Sequence, residues 1–244
     1  MNSNLMSECV INFENVMFSY NEKENAVDDL TMCIHRGQSL AILGHNGAGK
    51  TTTLRLILGL LHPQQGRILV NGLAPDSPLI PRGMIAYMPE TGGIYDRLTG
   101  FQNLVFRARA ANVDPTDIHA RSTFWLEKLG LLQRGDEKVG YWSKGLKQRL
   151  SLACALICNP RLLLLDEPTN GLDPESLSIV MKVLQETNAQ ETTLLICSHD
   201  LNAVQQVCNQ MIIIQYGRLL HMSSIEDATP ELLREKYLEL TTTR

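Results

Sequence analysis

The 244-residue chain has no excess of positive charge: 22 Lys and Arg stand against 26 Asp and Glu, a formal net charge of -4. With 20% charged and 44% hydrophobic residues the composition is that of an ordinary globular protein, and nothing in it favours a phosphate-backbone partner, so nucleic acid is not an expected ligand. No apolar run approaches the roughly 18 residues that a spanning helix needs. The stretches "TTLLIC", "RLLLL" and "MIII" have the length of buried strands instead. The first residues, "MNSNLMSECVINFENV", lack both a basic flank and an apolar h-region, which excludes a signal peptide and predicts a cytosolic chain. Any membrane role then needs a partner.

Six cysteines (Cys9, Cys33, Cys154, Cys158, Cys197 and Cys208) are scattered without the short paired spacings of a zinc site. They are expected to be small buried hydrophobes in a reducing compartment. There is also no internal repeat, low-complexity segment or flexible linker. The length suits one large domain or a core with an insertion, because single cores stop growing near ~250 residues.

What is present begins with "GQSLAILGHNGAGKTTTLRLILGLLHP". An apolar β-type run, 40–43, leads into glycines and then into a helix predicted to stop at His62-Pro63. Gly44, Gly49, Lys50 and Thr51 fit the pattern G-x-x-x-x-G-K-[ST]. Glycines let successive amides curl around an anion, and the helix N-terminus adds its positive end. Lys50 reaches the β and γ phosphates, while the Thr51 hydroxyl can ligate Mg²⁺. The competing possibility is a glycine-rich turn that binds nothing, but such a turn requires neither lysine nor hydroxyl. His45 and Asn46, inside the loop, can point to solvent.

A second apolar strand ends in two carboxylates, "RLLLLDEPTNGLDPE". Asp166 fits a Mg²⁺ holder and Glu167 the group that polarises an attacking water, since ligands collect at the carboxyl ends of parallel strands. Acidic pairs also begin ordinary turns, which is the plainer alternative. Asp173 can cap the next helix, with Pro174 at its first position. That helix puts Leu177, Val180, Met181 and Leu184 on one face, as core packing does. A third run, "TTLLICSHD", delivers His199 to a strand end, either as a γ-phosphate contact or as a satisfied surface histidine.

Segments ahead of Lys50 and "GRILVNG" after the first helix read as antiparallel strands. From about 91 to 160 the pattern turns helical, with a capping box from Thr99 to Gln102 and a helix ending at Gly130. Ser143 opens another helix with the apolar row Leu146, Leu150, Ala153 and Ile157; its hydroxyl and the free first amides can face a phosphate, or Ser143 can be a simple N-cap. "TPELLREKYLEL" reads as a capped amphipathic helix with Leu233, Tyr237 and Leu240 as its stripe.

The order of phosphate loop, helical insert, "WSKGLKQRL", "LLLLDEP" and "SHD" resembles the ATP-binding cassette of ABC transporters across nearly the whole chain. The resemblance implies an α/β P-loop NTPase (RecA-like) core with an N-terminal antiparallel β subdomain and an inserted α-helical subdomain. It implies one cassette over 1–244: a core at about 1–90 and 161–222, a helical signature subdomain at about 91–160 and a C-terminal helix at about 223–244. ATP would be held by Tyr20, stacking on adenine, and by Gly44, His45, Asn46, Gly47, Ala48, Gly49, Lys50, Thr51 and Thr52. Glu167, His199 and Lys50 would be catalytic, with Mg²⁺ held by Thr51, Asp166 and Glu90. Glu90 stands where the family has a coupling glutamine, so it is either a coupling residue or a solvated turn residue.

The family's signature, usually Leu-Ser-Gly-Gly-Gln, completes a nucleotide site on the opposing cassette. Trp142, Ser143, Lys144, Gly145 and Leu146 occupy its positions, with Lys144 and Leu146 departing from the usual glycine and glutamine. Gly171, Leu172 and Asp173 would belong to the loop by which two cassettes sense each other. By resemblance the chain is an ATPase subunit on the cytoplasmic face of a membrane, paired with a second cassette, as homo- or heterodimer, and with transmembrane permease subunits. "YMPE" and "SKGLKQRL" together favour an export branch. A soluble scaffold or signalling ATPase is the alternative, and a translation or DNA-repair relative a third; the latter carry tandem cassettes, zinc inserts or basic segments that this sequence lacks.

Overall fold

Strands β1 (Cys9–Phe18) and β2 (Val27–His35) alternate buried and outward residues, the pattern of sheets with one face on a core. They pair antiparallel, with Phe13 opposite Met32. After β3 (Ser39–Leu43) and α1 (Lys50–Ile57), β4 (Gln65–Val70) returns to pair antiparallel with β1, giving the sheet order β2-β1-β4. The computed structural model describes residues 9–21, 24–225 and 230–242, so the reading of the first eight residues as lacking a signal lies outside the described residues, as does the cap expected at Thr229. The chain divides into two compact units, Met1–Ile80 with Thr193–Arg244, and Pro81–Thr192.

In the first unit β3 lies between two parallel neighbours, β7 (Thr193–Cys197) and β8 (Gln210–Gln215). Every residue of β3 and β7 is buried, and each strand has four consecutive apolar residues (40–43 and 194–197), the pattern of a strand covered on both faces. β9 (Arg218–Ser224) closes the edge antiparallel to β8. Tyr216 and Gly217, at φ 50° and 76°, form the two-residue turn between them, as a hairpin with right-handed twist demands.

The second unit contains β5 (Ile85–Met88) parallel to β6 (Leu162–Asp166), together with α2 (Gly100–Ala110), α3 (Pro115–Lys128), α4 (Lys144–Leu156) and α5 (Pro174–Ala189). The capping box at Thr99 forms as the sequence indicates, and Asp173 caps α5 ahead of Pro174. Asp114 caps α3, with Pro115 at its first position. Lys128 of α3 and Glu186 of α5 meet at 2.6 Å. In the first unit α6 (Leu201–Val207) follows β7, and α7 (Pro230–Thr242) buries Leu233.

Two expectations are corrected. The helix after the phosphate loop ends at Ile57 with Leu58 as its C-cap, well before His62-Pro63, because Gly59 turns left-handed at φ 67°. Cys9 and Cys33 form a disulfide between β1 and β2, with Cα atoms 5.9 Å apart. Antiparallel pairing brings them together despite their distance in sequence. Cys154 and Cys208 are small core hydrophobes, and burial pushes both thiols up to about 12, where they stay protonated and inert.

Leu164, fully buried in β6, and Leu60, 65% exposed after α1, offer a matched test of this core. Leu164→Ala should lower unfolding stability by about 2–5 kcal/mol, as truncations in packed cores do. Leu60→Ala should stay within about 0.5 kcal/mol, both read from urea midpoints.

Candidate functional site

Register decides which residues emerge together. In the first unit Ile42 of β3 pairs with Cys197 of β7, so Gly44 and His199, each two residues further on, leave the same end of adjacent parallel strands. Lys50 opens α1 and is buried; its ammonium donates to the carbonyl oxygens of Gly44 at 2.8 Å and His45 at 3.3 Å. The lysine is thus held over the loop. Thr53 returns its hydroxyl to the Gly49 carbonyl at 3.0 Å, anchoring the first turn.

The hairpin turn braces this loop from behind. Gly217 donates its amide to the Ala48 carbonyl at 3.0 Å, and the rings of His45 and Tyr216 lie 5.3 Å apart. Gly49 sits at φ 107°, and a Cβ there would collide with the Ala26 carbonyl oxygen, so no other residue fits. His45, Asn46 and Gly47 are exposed, while Ala48 and Thr52 are buried and Thr51 is half-buried. Tyr20 is 56% exposed beside the loop; its hydroxyl shares a hydrogen bond with Thr52 at 3.3 Å and accepts one from Arg55 at 3.2 Å. His199 is exposed between buried Ser198 and Asp200, which caps α6 through the amides of Asn202 and Ala203.

In the second unit Met88 of β5 pairs with Leu165 of β6, which brings Glu90 and Glu167 out at one end. Asp166 and Glu167 are 3% and 6% exposed. Tyr87 donates its hydroxyl to an Asp166 carboxylate oxygen at 3.3 Å. Glu167 adopts φ 50°, the left-handed region that non-glycine residues avoid, at a cost of about 1–2 kcal/mol. Glu90 accepts a hydrogen bond from the Asn170 side chain at 3.2 Å, which ties it to the loop that ends at Asp173.

Ser143 caps α4, its hydroxyl accepting the Leu146 amide at 3.3 Å, and Ser143 and Lys144 are exposed. Leu146 is half-buried, on the side of the apolar row it was expected to extend. Gly145 lies against the start of α5: a Cβ there would sit 2.9 Å from the Ser176 hydroxyl and 3.0 Å from Asp173 Oδ2. The signature glycine is therefore also a packing requirement within this chain. Gly171 is exposed at φ 71° and Leu172 half-buried, while the Asp173 carboxylate accepts from the Ser176 amide and hydroxyl.

The donor sets fit a nucleoside triphosphate and a hard cation. A lysine-topped glycine loop at a helix N-terminus suits phosphate. Among the described residues no cluster of three or more His, Cys, Asp or Glu side chains could hold a metal by itself. Mg²⁺ asks for no such cage: it takes one or two protein oxygens and completes its shell with water and phosphate.

The ABC transporter family profile matches residues 27–170, more than half of the chain. The chain belongs to the ABC transporter family. The ABC transporter ATP-binding protein NatA of Bacillus subtilis (strain 168) is 36% identical over 204 residues, covering 82% of each chain. The Nod factor export ATP-binding protein I of Paraburkholderia xenovorans (strain LB400) is 34% identical, covering 87% of this chain and 70% of its own. Among solved structures, an ATP-binding subunit of an ABC transporter superposes with a TM-score of 0.85 at 30% identity, covering 95% of this chain and 99% of that one. This ABC transporter chain is an ATP-binding ATPase subunit, built as an α/β P-loop core with an antiparallel β subdomain and an inserted helical segment. Among its described residues no helix is long and apolar enough to cross a membrane.

Sequence reading missed three supporting residues. Tyr87 had a legible signal: it faces opposite to Ala86 and Met88 in "IAYM" and so carries a hydroxyl to the functional strand end. Arg55 follows the phosphate loop by one helical turn, the spacing that lets it reach Tyr20. Gln148, buried in α4, had none, because it lies off the apolar row that marks that helix.

Two measurements test the local construction. Gly145→Ala should lower both the melting temperature and ATP turnover, since the added methyl pushes α4 off the cap of α5. The Ser176 amide, then its hydroxyl, holds the Asp173 carboxylate below its usual range. A lowered folded pKa contributes stability that is present above the unfolded value and lost as pH falls through the folded one. The melting-temperature gap between wild type and Asp173→Ala should therefore be widest near neutrality and shrink as the pH drops below about 4.

Proposed function

We propose that the chain powers export, as the cytoplasmic-face subunit of a transporter whose permease subunits span the membrane, and that it works paired with a second cassette. The observation that carries the hydrolytic part is the pair Asp166 and Glu167, nine-tenths buried at the end of β6. The export direction is supported by relatives named for Nod factor export and for linearmycin resistance, the latter 30% identical over 229 residues. The whole of 1–244 acts as one cassette in this reading, with the signature subdomain at about 91–160.

Lys50 and the amides of Gly44, His45, Asn46, Gly47, Ala48 and Gly49 bind the triphosphate, and Tyr20 stacks on the base. Thr51 and Asp166 hold Mg²⁺, which neutralises phosphate charge when bound, and Thr52 supports the Tyr20 hydroxyl. Glu167 orients and deprotonates the attacking water, while His199 contacts the γ-phosphate. Glu90, bonded to Asn170, relays between that site and the permease. Ser143, Lys144, Gly145 and Leu146 face the nucleotide of the opposing cassette, and Gly171, Leu172 and Asp173 lie along the pairing surface. A two-fold pair makes this arrangement isologous, with Ser143 of one chain opposite Lys50 of the other.

Glu167→Gln keeps the shape and removes the base. Its ATP turnover should fall by ~10²–10⁴-fold while ATP binding persists. Turnover by wild type and variant is to be measured with and without membrane proteins recovered through a tag on this chain and identified by mass. A multi-spanning partner that stimulates Glu167-dependent hydrolysis supports the export reading. Recovery of soluble proteins alone, with turnover indifferent to membranes, sinks it in favour of a soluble ATPase module.

A further inference from the structure

The loop 167–173 is held along its length by the first two turns of α4. At its start, Gln148 Nε2 donates to two successive backbone carbonyls, Glu167 and Pro168, each at 3.3 Å. In its middle, Gly171 lies under Lys144, where a Cβ would come within 2.5 Å of the lysine Nζ. At its end, Gly145 abuts Asp173 and Ser176. Lys144 and Gly145 follow Ser143 directly, so one short rod carries both the signature and the support of this loop.

Gln148 is the member of this set with chemistry to spare. It is 7% exposed, and a primary amide has two N–H protons, one for each carbonyl. Those carbonyls belong to the turn in which Glu167 is held at φ 50°, a conformation that persists only where the surroundings impose it. Neither a hydroxyl nor an aliphatic side chain can grip both oxygens.

We propose that Gln148 is a positioning residue for hydrolysis: it ties the backbone that carries the Glu167 carboxylate to the signature helix, so that engagement of Ser143 by one nucleotide sets the base that acts on the other. Ser143 and Gln148 are five residues apart on one helix, about 7.5 Å along its axis, close enough to move as a rigid piece. The inference rests on the assignment of Glu167 as the base, and it adds a physical link between the two nucleotide sites of a pair.

The test is steady-state hydrolysis against ATP concentration for wild type, Gln148→Met, Gln148→Glu, Glu167→Gln and the Gln148→Met/Glu167→Gln double variant, each with its membrane partners. Methionine keeps the length and removes both donors. Gln148→Met should lower kcat at least tenfold with KM for ATP changed by less than about threefold, and should cause no further loss on top of Glu167→Gln. In Gln148→Glu the buried carboxyl can donate only when protonated, so its kcat relative to wild type should rise as the pH is lowered from 8 to 6. Gln148→Glu also serves if the methionine variant does not fold. Wild-type kcat in Gln148→Met, or additive losses in the double variant, would overturn the proposal, as would a Gln148→Glu deficit indifferent to pH. Hydrolysis in the wild type that does not depend on Glu167 would instead remove the assignment beneath it.

Discussion

Burial of β3, β6 and β7 on both faces is the constraint from which the rest follows. All five residues of each strand are out of solvent and four consecutive ones are apolar, so each carries its functional groups only at or beyond its carboxyl end. In parallel strands these ends share a direction. The lysine loop and His199 accordingly gather in one unit, and Glu90, Asp166 and Glu167 in the other. Asp166 shows the limit of the arrangement: it is the last residue of its strand, and a tyrosine hydroxyl from the neighbouring strand compensates its carboxylate for lost water.

Much of this was legible because the relevant signals are local. Apolar runs of four residues, a lysine and threonine after glycines, Asp173 before Pro174, and the Thr99–Gln102 capping box each report on a few neighbouring bonds. The antiparallel pairing of β1 with β2 and β4 followed from alternation. Pro63 reads as the stop of the helix after the phosphate loop, but Gly59 ends it earlier, at Ile57. The Cys9–Cys33 bond was missed because spacing along the chain says nothing about register across strands. Gln148 was invisible for a similar reason. Its partners are backbone carbonyls, which have no letter in a sequence.

Single residues here repeatedly serve two structures at once. Gly145 occupies a signature position and also leaves room for the cap of α5. Asp173 belongs to the loop expected to face a second cassette and also starts a sixteen-residue helix. Ser143 caps α4 with the same hydroxyl that a phosphate would seek. Such doubling makes these positions hard to alter for function alone, because a change aimed at a ligand also loosens a helix end.

The hairpin turn at Tyr216 and Gly217 closes a strand pair near the C-terminal part of the chain, yet it backs the phosphate loop near the N-terminal part. During synthesis the loop emerges early and its brace emerges late. A ribosome-bound chain that stops short of β8 carries the lysine and glycines without the backing that shapes them. The backing of the loop is thus complete only once Tyr216 and Gly217 have been made, which ties the shape of an early loop to a late hairpin.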